Sequence, residues 1–251
     1  TWGSSGLYRS TDGGISWTAV EPNLGAASGG STGWVNVYAI TQDRDGIMFI
    51  SANNGEFFRS LNGGDAWQKV ASLPHASADT PWSFAGHTPR PGTVFAGTFG
   101  RGVHVTTDYG FSWEPVGSDA LNQVLIDADA GHIFDLAFSP DDPDVLFAGT
   151  ASGVFRGTPF AVTPSWTAMG PTVTLDNGSV VTPEVRTLAF TDDPSGDDDL
   201  LAGTWGFGVF ASDNPLTTTG LQPLALRQQF VTVLAPLSEG GVFAGTRDGQ
   251  G

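Results

Sequence analysis

Cysteine is absent from the 251 residues, so neither disulfides nor thiol chemistry contribute to this protein. Lysine is nearly absent too. Lys69 stands alone beside nine arginines, against 26 acidic residues, for a net charge of -16. Such a surface repels a phosphate backbone, which excludes nucleic acid as an expected partner. No run approaches the ~18 continuous apolar residues of a membrane span, and no signal peptide is visible. The chain starts at Thr1 without Met, so a removed leader or a longer parent protein is expected. Helix is barely indicated, with one short turn expected over 119–127. Charged residues are only 14% of the chain while glycines number 35, a balance that suits many short strands and turns. Asp outnumbers Glu by 21 to 5. Either Asp serves as the turn residue of an all-β fold, or the acidic surface reflects a high-salt habitat.

What the chain does have is a repeated phrase. Its fullest copy is Ser10-Thr11-Asp12-Gly13-Gly14-Ile15-Ser16-Trp17, and Thr106-Thr107-Asp108-Tyr109-Gly110-Phe111-Ser112-Trp113 repeats it. Ser60-Leu61-Asn62-Gly63-Gly64-Asp65-Ala66-Trp67 is a drifted copy with Asn in place of Asp. The spacings from Asp12 to Asn62 and from Asn62 to Asp108 are 50 and 46 residues, about one four-stranded unit each. Each copy lies between β-forming runs and predicts a hairpin turn. Asp or Asn accepts bonds from amides within its own turn, Gly14, Gly64 and Gly110 supply a positive φ, and Trp17, Trp67 and Trp113 open the return strand. A lone carboxylate per repeat is a poor metal ligand set, so the boxes read as local structural staples.

The pattern resembles the Asp-box, or BNR repeat, of sialidases, xyloglucan-cleaving glycosidases, sortilin-type receptors and a photosystem II assembly factor. The resemblance implies a β-propeller with the boxes on its outer rim, away from catalytic centres. It says little about chemistry.

A second phrase is independent of the first. Phe95-Ala96-Gly97-Thr98, Phe147-Ala148-Gly149-Thr150, Leu201-Ala202-Gly203-Thr204 and Phe243-Ala244-Gly245-Thr246 read as one strand used four times, with Phe49-Ile50-Ser51-Ala52 a weaker fifth. Small residues here allow the next sheet to approach closely. Apolar runs precede each copy and further strands follow, so four strand types occur five times. The expectation is a single all-β domain over 1–251, a five-bladed β-propeller of four-stranded antiparallel blades. Blades lie at 34–71, 81–117, 132–169 and 184–225, and one shared by 229–251 and 1–21 closes the ring.

Ligands on such a fold gather where the second-to-third and fourth-to-first loops meet the central funnel. Phe99 and Arg101, Trp205 and Phe207, and Trp2 with Arg247 and Asp248 fall in those loops. Aromatic rings beside charged groups suit a sugar, or else cover the core ends. Asn36, Ser83, Arg186 and Thr232 align near the starts of innermost strands, with Phe134 in the remaining place. Arg186 there either receives a carboxylate or pairs with Asp135. The four histidines, His75, His87, His104 and His132, form no close ligand pair, and no metal or cofactor is expected. The runs Asp141-Asp142-Pro143-Asp144 and Asp197-Asp198-Asp199 either trap Ca²⁺ or, as the favoured reading, are solvated turns. A sialidase would need an Arg-Ile-Pro motif, which is absent, and no catalytic residue is assigned. For a general glycosidase the candidate carboxylates are Asp79, Asp129 and Asp135. The favoured reading is a secreted, periplasmic or cell-surface module that holds a glycan or a protein partner. The alternatives are a glycoside hydrolase and an adhesive or sensing segment of a larger protein.

Overall fold

The computed structural model describes residues 6–20, 37–52, 56–71, 73, 81–87, 89–116, 131–161, 164–191, 198–218, 220–237 and 241–247. Every regular element among them is a strand. The short turn expected over 119–127, and Trp2, Asn36, His75, Asp79, Asp129 and Asp248, lie outside the described residues. No helix of the described residues is long and apolar enough to cross a membrane.

Each repeat folds as an up-and-down meander. In chain order the strands begin with β1 (Tyr8–Arg9) and β2 (Thr18–Ala19), which pair with each other. Then come β3 (Val37–Gln42), β4 (Met48–Ala52), β5 (Glu56–Ser60) and β6 (Gln68–Lys69), one four-stranded sheet in sequence order. β7 (Pro81–Gly86), β8 (Val94–Thr98), β9 (Val103–Thr106) and β10 (Glu114–Pro115) make the next. β11 (Ile133–Phe138), β12 (Leu146–Thr150), β13 (Gly153–Gly157) and β14 (Trp166–Gly170) make a third. An extra hairpin follows, β15 (Val173–Thr174) with β16 (Val180–Val181). β17 (Val185–Thr191), β18 (Asp199–Thr204), β19 (Gly208–Ser212) and β20 (Gln222–Ala225) form the fourth four-stranded sheet. β21 (Phe230–Pro236) and β22 (Val242–Arg247) pair as a two-stranded sheet. All pairings with a defined register are antiparallel.

Two compact units make up the chain, Thr1–Ala96 with His104–Glu114, and Gly97–Val103 with Pro115–Gly251. In the first, Phe49, Phe57, Leu73, Val94, Ala96 and Trp113 form one buried cluster and Val20, Ile50, Ala52, Phe58 and Trp67 another. In the second, Phe147, Val154, Met169, Val185, Leu188, Leu200 and Phe210 share a core, and Ala189, Leu201, Val209, Val231 and Leu234 a smaller one. The expected need for small residues holds. A Cβ on Gly203 would lie 2.6 Å from Thr187 and 2.7 Å from Val231, so only glycine lets β21 pack against β18 there.

The three boxes share one bonding pattern. Gly14, Gly64 and Gly110 each donate an amide to the hydroxyl of Ser10, Ser60 or Thr106 at 2.8 Å. Asp12 and Asp108 accept the Ser16 and Ser112 amides at 2.9 Å and their hydroxyls at 2.5 and 2.7 Å. Those bonds, with the one from Ser10, hold the Asp12 carboxyl down at about 2. At Asp108 burial pulls upward, but the bonds from Ser112 and Thr106 outweigh it and the carboxyl lies below its ordinary value. Asn62 still accepts from the Ala66 amide at 2.9 Å; the missing carboxylate oxygen and the missing hydroxyl are lost together. The three glycines have φ of 89°, 91° and 83°, as expected.

The boxes are more than local staples. Arg9 on β1 donates to the Gly63 carbonyl at 3.0 Å and the Asp65 carboxylate at 2.5 Å in the second box. Arg59, at the same place on β5, donates to the Tyr109 carbonyl at 2.7 Å and stacks 4.1 Å from the Phe111 centroid in the third. Arg156 on β13 likewise donates to the carbonyls of Pro215 at 2.9 Å, Leu216, and Thr218 at 3.3 Å. Three of the sheets are each pinned to a successor through an arginine at the same strand place; Val105 and Ala211 stand there in the other two repeats.

Candidate ligand-binding face

A groove of about 670 Å³ opens in the second unit, lined by the hairpin of β15 and β16, by Gly206 and Phe207, and by Pro223, Arg227 and Gln228. Its walls are stiff for local reasons. In the hairpin, Leu175 donates to the Ser179 carbonyl and Gly178 to the Leu175 carbonyl, both at 2.8 Å. Asn177 accepts the Ser179 amide at 3.0 Å and its hydroxyl at 2.6 Å. Across the groove, the turn from β20 to β21 holds two non-glycine residues in the left-handed region, Leu226 at φ 53° and Gln228 at φ 66°. Each costs about 1–2 kcal/mol. Gln229 donates to the Leu226 carbonyl at 3.0 Å and Gly208 to the Gln229 carbonyl at 3.1 Å. A Cβ on Gly208 would stand 2.4 Å from the Leu226 oxygen, so glycine alone admits this turn. Arg227 is thus presented between two fixed residues.

The groove joins apolar and polar groups. Val173, Leu175, Phe207 and Pro223 offer hydrophobic surface over the buried Phe210, and Thr174, Asp176, Asn177, Arg227 and Gln228 offer donors and acceptors. Such a mixture fits a ligand with flat apolar faces and a hydroxyl or amide rim.

Beside it runs a ladder of rings and cations at the strand ends of the same unit. Phe99 stacks on His132 with centroids 3.9 Å apart, and His132 meets the edge of Phe134 at 6.4 Å. Arg186 lies 4.0 Å over Phe134 and 4.9 Å over Trp205. Trp205 packs edge-on against Phe230 at 4.9 Å, and Arg247 sits 5.9 Å from its ring. Phe99, Arg186 and Trp205 are therefore brought into one row, with their ring faces largely engaged by neighbours. Among the described residues, Phe207 alone of the sequence candidates lines the groove. Arg101 does not line the groove; its amide donates to the Thr98 hydroxyl at 3.1 Å.

Arg186 does not pair with Asp135. Its ion pair is with Glu184, two residues earlier and just before β17. Asp135 instead accepts the Leu188 amide at 2.7 Å and the Leu136 amide at 2.9 Å. Burial raises its carboxyl to about 6 against those bonds. The alignment of Asn36 with Arg186 also shifts, because Val37 faces Ala52 as Val185 faces Thr204. Tyr38 therefore takes the place of Arg186. Sequence reasoning missed the hairpin and Arg227, although Asp176-Asn177-Gly178 between Val173-Thr174 and Val180-Val181 is a strong hairpin signal.

With this geometry in hand, no family model matches the chain. A xyloglucanase from a Paenibacillus species is 30% identical over 104 residues, 37% of this chain and 9% of that protein. Among solved structures, the xyloglucanase of glycoside hydrolase family 74 from Xanthomonas campestris superposes with a TM-score of 0.65 over 98% of this chain, at 15% identity. YCF48 bound to D1 peptide gives 0.57 over 86%, also at 15% identity. The fold is that of an Asp-box β-propeller. The propeller spans 39% of the Xanthomonas chain and 63% of the YCF48 chain.

Proposed function

We propose that this propeller is a non-catalytic ligand-binding module of the secreted, periplasmic or cell-surface kind, and that its ligand lies in the groove beside Phe207. The observation carrying this reading is the pairing of a rigid hairpin wall with a rigid, strained turn around a mixed apolar and polar floor. Walls already fixed spare the ligand an ordering cost. A glycan is the favoured ligand: ring faces pack on Phe207, and Asp176, Asn177, Arg227 and Gln228 take hydroxyls. The xyloglucanase relative supports a sugar, whereas the peptide-bound YCF48 supports a protein segment.

The ring is read as five blades, with β1 and β2 completing the sheet of β21 and β22. Phe243 is 68% exposed where Phe49, Phe95 and Phe147 are buried, which supports a cover there. Cysteines introduced into β1 and β22 are expected to cross-link in the monomer; failure across several positions removes the closed ring.

A hydrolase is the second reading, favoured by the similarity to a xyloglucanase. Glycoside hydrolysis takes two carboxylates, and among the described residues Asp176 is the one carboxylate that lines the groove. Titration calorimetry against neutral and acidic oligosaccharides, with Phe207→Ala as control, tests the binding reading. Binding that ignores this substitution would sink it, and release of reducing ends from xyloglucan would put the hydrolase in its place.

A further inference from the structure

Arg227 is a cation kept without a carboxylate. Among the described residues the ion pairs are Arg9 with Asp65, Lys69 with Glu56 and Arg186 with Glu184. Arg227 enters none of them, although Asp176 lines the same groove and the chain carries 26 acidic residues against 10 basic ones. An exposed arginine on an ordinary loop would mean little. This one sits between Leu226 and Gln228, both in the left-handed region where glycine or asparagine rests more easily. Backbone held against its preference collects at ligand clamps.

Every residue lining the groove belongs to the second unit. Phe210 on its floor joins the core with Phe147 and Val154, whereas Val209 and Ala211 on either side join Val231 and Leu234. The groove therefore lies on the face of the β17–β20 sheet away from β21. The strands β1 and β2, read as completing the sheet of β21, fall on the other face.

We propose, resting on the reading of the groove as the ligand site, that it takes an acidic sugar: a uronate carried singly on an otherwise neutral glycan. A neutral sugar gives Arg227 only a hydroxyl. A uronate gives its planar guanidinium two parallel N–H bonds to one carboxylate. Asp176 accepts sugar hydroxyls from the opposite wall. Asn177 has its Oδ1 occupied by the Ser179 amide and hydroxyl, so its amide nitrogen is the group left to donate. The apolar face of the sugar packs on Phe207. A single carboxylate also suits the net charge of -16, which repels a polyanion.

Calorimetry on the whole chain compares a xylo-oligosaccharide bearing one glucuronate with the same sugar after its carboxyl is reduced to the alcohol. The acidic form is expected to bind about tenfold tighter or more. Arg227→Gln keeps a donor without the charge and is expected to bring the two affinities within about twofold of each other. Arg227 is exposed, so its replacement spares the fold. Phe207→Ala is expected to weaken both forms and keep their ratio. Equal binding of both forms to the unaltered chain overturns the proposal, and leaves the groove as the ligand site if Phe207→Ala weakens them. A preference that survives Arg227→Gln overturns it also. So does an acetylated tripeptide with a free C-terminal carboxylate that binds as tightly as the acidic sugar, or an oligogalacturonate, charged at every ring, that binds more tightly. If neither sugar binds, the groove falls as a glycan site and the proposal falls with it.

Discussion

Arg59 reaches fifty residues along the chain to donate to the carbonyl oxygen of Tyr109 at 2.7 Å. Tyr109 is itself strained, a non-glycine residue at φ 60° in the place where Gly13 and Gly63 stand in the other boxes. The buried guanidinium fixes that backbone, and Phe111 covers it from above. Arg59→Met is expected to cost about 2 kcal/mol, the worth of a buried charged hydrogen bond. Arg59→Lys should not restore it, because a point charge cannot both donate in plane and stack. Urea denaturation of both variants checks this; full rescue by lysine would disprove the stacking argument.

The boxes predict a coupling. Asp108→Asn turns a charge-assisted bond to the Ser112 hydroxyl into a neutral one and is expected to cost about 1 kcal/mol. In a Ser112→Ala background the same change should cost less, since that pair already stands as Asn62 and Ala66 in the second box. A double-mutant cycle reads the difference. Both Asp12 and Asp108 have lowered carboxyls, so their stabilisation is full above the unfolded value near 3.8. It is lost as pH falls through the folded values, about 2 for Asp12.

Asp135 runs the other way. Its folded carboxyl is raised to about 6 from 3.8, so the folded state holds the extra proton between those values. Its contribution to stability is full below about pH 4 and declines as pH rises through 6, by at most about 3 kcal/mol. Thermal unfolding of Asp135→Asn should lose this segment of the pH profile while keeping an acceptor for the Leu188 amide. An unchanged profile would show that Asp135 does not titrate there.

Gly203→Ala is expected to destabilise the second unit by about 2 kcal/mol or more, because its Cβ meets Thr187 and Val231 inside contact distance. Ser51 shows that a small side chain is accommodated at the equivalent place on β4, where Ala39 faces it. Gly203→Ala combined with Thr187→Ala should recover part of the loss in chemical denaturation.

Replacing Leu226 or Gln228 by glycine removes a positive-φ penalty and should raise stability by about 1 kcal/mol. If the turn is a wall of the binding groove, the same changes weaken ligand binding, since the wall is no longer held. Paired melting and calorimetry would expose a turn that is strained without consequence.

Much of the fold was legible in the residues alone. Strand types, their order, the box turns and their glycines all follow from interactions a few residues long: Asp12 with Ser16, Gly64 with Ser60, β4 with β5. Such contacts depend on local spacing, which a sequence displays directly. The mixture of groups at the groove was not legible, nor was the partner of Arg186, because both depend on which loops the sheets bring side by side. Arg186 pairs with Glu184, while Asp135 is taken up by the Leu188 and Leu136 amides. Arg9, Arg59 and Arg156 look like ordinary strand residues until the sheets stack, and only packing at long range made each of them a pin for the next turn.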